Sequence, residues 1–246
     1  MARRGVACGV PEGDSVAFVA GATGYTGREV VAALRRRGVR TIAHVRPDSA
    51  RLAEFRDRFA ALGAEIDTTA WEPEALASAF DRLRPTHVFA LLGTTRTRAR
   101  NEGMSAQQAY ARVDYGLTKW LIDAALAMHR RPRFVYLSAA GVDPASKNGY
   151  VAARARTEQC LTTSGLPYTI ARPSFITGPD REEERPLERI GSIVADGVLA
   201  LAGALGARRL RARYRSTTAA ALARGLVRLA FDSSWAGRIA QSEDLR

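Results

Sequence analysis

Along most of the chain, short apolar runs alternate with longer runs of mixed polarity. The segments 16–20, 41–45, 65–69, 87–92, 133–137 and 168–171 have the length and apolar content of buried strands. Between them, 26–37, 50–62, 73–83, 105–129 and 148–164 have the length and polarity of helices. Local residues support several of these boundaries. Pro73 suits the first turn of a helix, with Glu72 and Glu74 favouring its positive end. Gly38 and Gly63 suit helix C-termini. Strands alternating with helices predict an α/β fold with a doubly wound parallel sheet and helices on both faces.

The alternation loosens after Arg172. A charged loop at 181–189 precedes an apolar helix at 190–205, an arginine-rich stretch, a helix at 217–231 and a short strand near Ile239. In such a sheet ligands bind outside the carboxyl ends of the strands, and the later segments cover that crevice. The expectation is one domain over 1–246, with 1–14 a loose arm and 175–246 the part that covers a substrate.

Candidate chemistry begins at Gly21-Ala22-Thr23-Gly24-Tyr25-Thr26-Gly27, between the first strand and the first helix. Glycine lets the chain turn tightly, and lets a phosphate approach without meeting a Cβ. The N–H groups of the helix start then face the anion. This context gives a Rossmann-type dinucleotide site, although the spacing is Gly-x-x-Gly-x-x-Gly. The second strand ends in His44-Val45-Arg46-Pro47-Asp48. Sites for NAD usually place a carboxylate there, for the ribose hydroxyls. Arg46 would instead hold a 2′-phosphate by paired hydrogen bonds, which favours NADP(H) and leaves NAD(H) open. The alternative is a solvent-facing Arg46, with Asp48 capping the next helix. At the end of the fourth strand, Gly93 would let a ribose pass close to backbone, and the hydroxyls of Thr94 and Thr95 could bond it; a plain strand-ending turn explains the same residues taken alone.

Tyr150 and Arg154 lie four residues apart, on one helix face. A phenol is a poor acid–base near neutrality, and a fixed cation beside it stabilises the phenolate. Ser138, ending the fifth strand, could bond the same substrate oxygen. Proton donation by tyrosine to a carbonyl oxygen, with hydride from a nicotinamide, is a coherent reaction.

The segments GATGYTGREV, HVRPDS, LLGTTRTRARNEG, RVDYGLTKWLIDAAL, FVYLSAAGVD, YVAARARTEQCL and YTIARPSFITGP, with DREEER, resemble the atypical short-chain dehydrogenase/reductases. The resemblance is to the NmrA-like and Tat-interacting-protein-like NADPH-binding branch. It implies that 23–27 grip the diphosphate, Arg46 meets the 2′-phosphate, and Leu92 and Gly93 line the ribose path. It places Tyr150 on the active-site tyrosine, Ser138 in the serine region, and Pro173 and Ser174 beside the nicotinamide. Ile176 and Arg185 are implied as further cofactor contacts. Two positions depart from the family. Arg154 stands where a lysine is usual, which retains the charge and can reach the ribose hydroxyls of the cofactor, but cannot serve a lysine-type proton relay. Ala70-Trp71 stands where an aspartate near the adenine is common. Two functions remain open: an NADP(H)-dependent oxidoreductase acting on a small carbonyl or activated double bond, and a regulator that senses NADP(H) and turns nothing over.

Composition changes little. The net charge of +12 comes almost wholly from arginine, since Lys119 and Lys147 are the only lysines. The arginines are scattered, with no aromatic platform between them, so no nucleic-acid partner is expected. The apolar stretch near 193–207 is too short to span a bilayer, and docking on a membrane surface is the weaker reading of the arginines after it. A small-molecule substrate is the expected partner, with a homo-oligomer left open. The 1–14 segment has no apolar core of a secretory signal, and Cys8 and Cys160 suggest no structural disulfide, which together point to a reducing cytoplasm. His44, His87 and His129 show no ligand spacing, and no metal is expected.

Overall fold

The computed structural model describes residues 14–174, 176–177 and 217–246. The expected helix at 190–205, the arginine-rich stretch beyond it, Cys8 and Arg185 lie outside the described residues.

Seven strands form one parallel sheet: β1 (Val16–Ala20), β2 (Arg40–His44), β3 (Glu65–Asp67), β4 (His87–Ala90), β5 (Arg133–Leu137), β6 (Tyr168–Arg172) and β9 (Arg238–Gln241). Their order is β3-β2-β1-β4-β5-β6-β9, so the chain reverses direction across the sheet between β1 and β4. That is where a doubly wound sheet opens a crevice at its carboxyl edge. The short strands β7 (Ile176–Thr177) and β8 (Thr217–Thr218) pair separately. Helices α1 (Tyr25–Arg36), α2 (Leu52–Ala61) and α3 (Pro73–Leu83) are followed by the short α4 (Arg96–Asn101). Next come α5 (Ala106–Ala109), a π-helical segment (Tyr110–Leu117) and α6 (Thr118–Ala127). The last two are α7 (Gly149–Thr163) and α8 (Ala219–Phe231).

The two-residue period of the strands sorts the core into two layers. Ala17 and Val19 of β1 join Val30, Leu34, Phe59, Leu222 and Leu226, from α1, α2 and α8. Phe18 and Ala20 face the other way, onto Phe80, Leu121, Ile122 and Leu161, from α3, α6 and α7. Each fully buried side chain of this size contributes about 1.5–3 kcal/mol relative to exposure. Helices cover both faces of the sheet here, and the crevice at its carboxyl edge is where a ligand is expected.

The boundaries shift for visible reasons. The third strand stops at Asp67, short of Thr69, because the Asp67 carboxylate accepts hydrogen bonds from the Thr69 N–H and hydroxyl and turns the chain. The fourth stops at Ala90, after which the Leu91 N–H still donates to the Ala20 carbonyl. The helix expected at 105–129 is one rod with a π-helical middle, begun by a Ser105–Gln108 capping box. Pro73 and Gly38 take the expected roles, Pro73 at the helix start and Gly38 at φ +77° beyond α1. Asp48 does not cap α2. The cap position is Arg51, whose side chain makes no capping bond and pairs with Glu54.

Candidate functional site

The glycine turn joins β1 to α1. Gly21 has φ +80°, and a Cβ there would stand 2.7 Å from the Leu91 carbonyl oxygen. A Cβ on Gly27 would stand 2.0 Å from the Gly21 oxygen, so this glycine lets α1 press onto the turn. Gly24 is exposed and extended at the cap position of α1. Helix geometry leaves the first N–H groups without acceptors inside the helix. No side chain caps them from Gly24, and no acidic residue stands in the first turn. Thr23 and Tyr25 are half-buried beside it, and Thr26 is buried.

The Leu91 contact brings this turn against the carboxyl end of β4, where the second half of the site is built around Arg154. The Arg154 guanidinium is buried, with a side-chain exposure of 6%. Its Nη2 donates to Asp114 Oδ1 at 2.7 Å and to the Leu92 carbonyl at 3.1 Å. Its Nη1 donates to the Leu137 carbonyl at 2.6 Å and the Tyr136 hydroxyl at 3.2 Å. Asp114, fully buried in the π-helical segment, also accepts from the Thr94 N–H. Its backbone carbonyl accepts from the hydroxyls of Thr118 and Thr157. One ion pair thus ties the ends of β4 and β5 to two helices. Burial pushes the Asp114 carboxyl above the usual carboxylate range, and Arg154 and the Thr94 N–H pull it back.

This arrangement changes two expected roles. The four Nη hydrogens of Arg154 point at protein acceptors, so its fork is not directed at ribose hydroxyls. Gly93 is explained at least as well by Arg154 as by ribose, because a Cβ there would stand 2.8 Å from Arg154 Nη2. Two buried polar atoms remain without a described partner at this spot, Thr94 Oγ1 and Arg154 Nε. Buried polar groups normally find partners. These two, with the uncapped glycine turn, fit a ligand rich in hydroxyls and phosphate.

Tyr150 is half-buried in the first turn of α7, whose cap Asn148 accepts from its N–H. Its ring meets Tyr110 edge-on at 5.5 Å, and the Arg154 guanidinium carbon lies 5.2 Å from its centroid. Among the described residues none hydrogen-bonds the Tyr150 hydroxyl. Ser138 is buried, and its hydroxyl donates to Glu158 Oε1 at 2.5 Å. Arg172 holds the same carboxylate through Nε and Nη2. The Ser138 hydrogen therefore faces Glu158 rather than a substrate carbonyl. Pro173 is buried, the Ser174 N–H donates to Ser242 Oγ at 2.5 Å, and Ile176 lies in β7.

At the far side, Arg46 is exposed, 3.7 Å from Asp48 and 3.9 Å from Glu102. Trp71 packs edge-on against His44 at 4.7 Å. The His44 Nε2–H donates to the Thr69 carbonyl, and burial holds the ring below its ordinary pKa.

Sequence reasoning missed Asp114, Glu158 and Glu102. Glu158 had a signal, since it continues the four-residue spacing of Tyr150 and Arg154. Asp114 and Glu102 had none, because only the fold brings them to Arg154 and Arg46.

The fold has counterparts among solved structures. An epimerase-type protein from Burkholderia cenocepacia J2315 superposes with a TM-score of 0.67 at 20% identity, covering 96% of this chain and 80% of that one. UDP-glucose 4-epimerase from Brucella ovis, in complex with NAD, gives 0.63 at 16% identity, covering 92% and 76%. Protein TIC 62, chloroplastic, from Pisum sativum is 28% identical over 194 residues, or 70% of this chain. The chain spans only 35% of that relative's length. Among the described residues no helix is long and apolar enough to cross a membrane. Residues 21–198, more than half of the sequence and including the glycine turn and Tyr150, match the NAD(P)H-binding family, and the chain belongs to it.

Proposed function

We propose that the protein is an NADP(H)-dependent oxidoreductase acting on a small carbonyl or activated double bond. When bound, the nicotinamide supplies or accepts the hydride. The amides at 23–27 hold the diphosphate, Arg46 meets the 2′-phosphate, and Thr94 offers its unpartnered hydroxyl to the ribose. Tyr150 is the proton donor. Arg154 is a fixed charge beneath the phenol, which favours the anion left after proton donation. Ser138 takes part only as an acceptor, because its hydrogen belongs to Glu158.

The observation that carries this reading is the placing of Tyr150. A phenol whose hydroxyl is bonded by none of the described residues stands over a buried cation anchored at Leu92, and Leu91 touches the glycine turn. The test is NADPH deuterated at C4, offered with a panel of carbonyls and quinones. Deuterium is expected in one class of product. Binding of NADPH without transfer to any member would contradict the proposal.

One observation favours a second reading, a sensor that binds NADP(H) without turnover. The Arg154 fork is engaged within the protein, so the usual lysine's role at the ribose is unfilled. Activity that arises only in Arg154→Lys would support the sensor.

A further inference from the structure

Arg46 stands between two carboxylates. Its Nε is 3.7 Å from Asp48 Oδ1 and its Nη1 is 3.9 Å from Glu102 Oε1. Neither distance is a hydrogen bond, and no described residue accepts one from this guanidinium. Its side chain is 53% exposed, against 75% for Asp48 and 35% for Glu102. The cation is therefore open to a ligand, yet the three side chains together carry one net negative charge.

Asp48 lies on the same loop, two residues on. Glu102 comes from elsewhere. The chain leaves β4, passes through α4 and turns at Gly103, where φ is +68°. The Gly103 N–H donates to the Arg100 carbonyl and the Met104 N–H to the Ala99 carbonyl, which fixes the turn that carries Glu102. The segment that leaves the ribose end of the site thus returns a carboxylate to the adenosine end.

We infer that Glu102 is a specificity-determining residue, an anion held beside Arg46 that opposes a 2′-phosphate and narrows the preference for NADP(H) over NAD(H). The inference rests on the dinucleotide reading above. A phosphate monoester carries close to two negative charges near neutrality, so a carboxylate about 4 Å from its guanidinium partner repels it. NAD(H) lacks that phosphate and does not meet the same repulsion. Because the cluster is exposed, water and salt reduce the effect to the range of surface pairs.

The test is calorimetric titration of the whole protein with NADP+ and, separately, with NAD+. Glu102→Gln is expected to bind NADP+ about three- to fivefold more tightly, with NAD+ within about twofold of wild type. Glu102→Lys is expected to move NADP+ affinity further in the same direction. Arg46→Ala is expected to weaken NADP+ alone. If Arg46→Ala acts on NADP+ while both Glu102 variants leave it unchanged, or if they shift NADP+ and NAD+ equally, the inference is overturned and the cofactor reading stands. Heat with neither nucleotide would overturn both.

Discussion

Tyr150→Phe is expected to lower turnover by about 10²- to 10⁴-fold, the range for loss of a positioned acid, while NADPH affinity stays within about twofold of wild type. The change removes one oxygen. The ring remains to pack edge-on against Tyr110 and over Arg154, so α7 should keep its place. No described partner of the hydroxyl is lost, and stability should hardly move. An interaction made only in the transition state lowers kcat and kcat/KM together. Steady-state rates of NADPH consumption in both proteins provide the check, and equal rates would remove Tyr150 from the chemistry.

Arg154→Leu is expected to cost about 3–5 kcal/mol of stability, as when one partner of a buried pair is removed. In a chain of this size that lowers Tm by roughly 6–20 °C. Asp114 is fully buried and would lose its counter-charge, keeping only the Thr94 N–H. The Leu92 and Leu137 carbonyls would also lose their donors. The pH dependence follows from the Asp114 carboxyl, already raised by burial and raised further once Arg154 is gone. A carboxyl whose folded pKa exceeds its unfolded one binds its proton more tightly when folded. The variant is therefore best matched to wild type in acid, and falls further behind as pH rises from the wild-type folded value, itself above the ordinary carboxylate range, towards the variant's still higher one. Adding Asp114→Leu to Arg154→Leu should recover part of the loss, because no uncompensated charge remains. Thermal unfolding of the two variants between pH 4 and about 8 is the measurement. A deficit that does not change with pH would contradict this account of the pair.

The alternation of strands and helices and the glycine turn were legible because they follow local rules. The two-residue period of Ala17, Phe18 and Val19, and the strand–glycine–helix order at 16–27, act within a few residues of themselves. The family resemblance rested on the glycine turn together with later segments such as YVAARARTEQCL and YTIARPSFITGP. The workings around Tyr150 were less legible. Arg154 pairs with Asp114 across 40 residues, and Ser138 with Glu158 across 20. Hydrogen-bond direction then decides what each group can still offer, which no spacing rule conveys. The helix expected as one element at 105–129 likewise hid its π-helical middle, the segment that places Asp114.

All of this depends on the glycine turn gripping a pyridine dinucleotide by its diphosphate. The direct measurement is isothermal titration of the folded protein with NADP+ and NADPH. The account predicts saturable heat at one nucleotide per chain for both, abolished when Gly24→Asp places a carboxylate at the mouth of α1. Heat with neither form, or binding unchanged in Gly24→Asp, would contradict it.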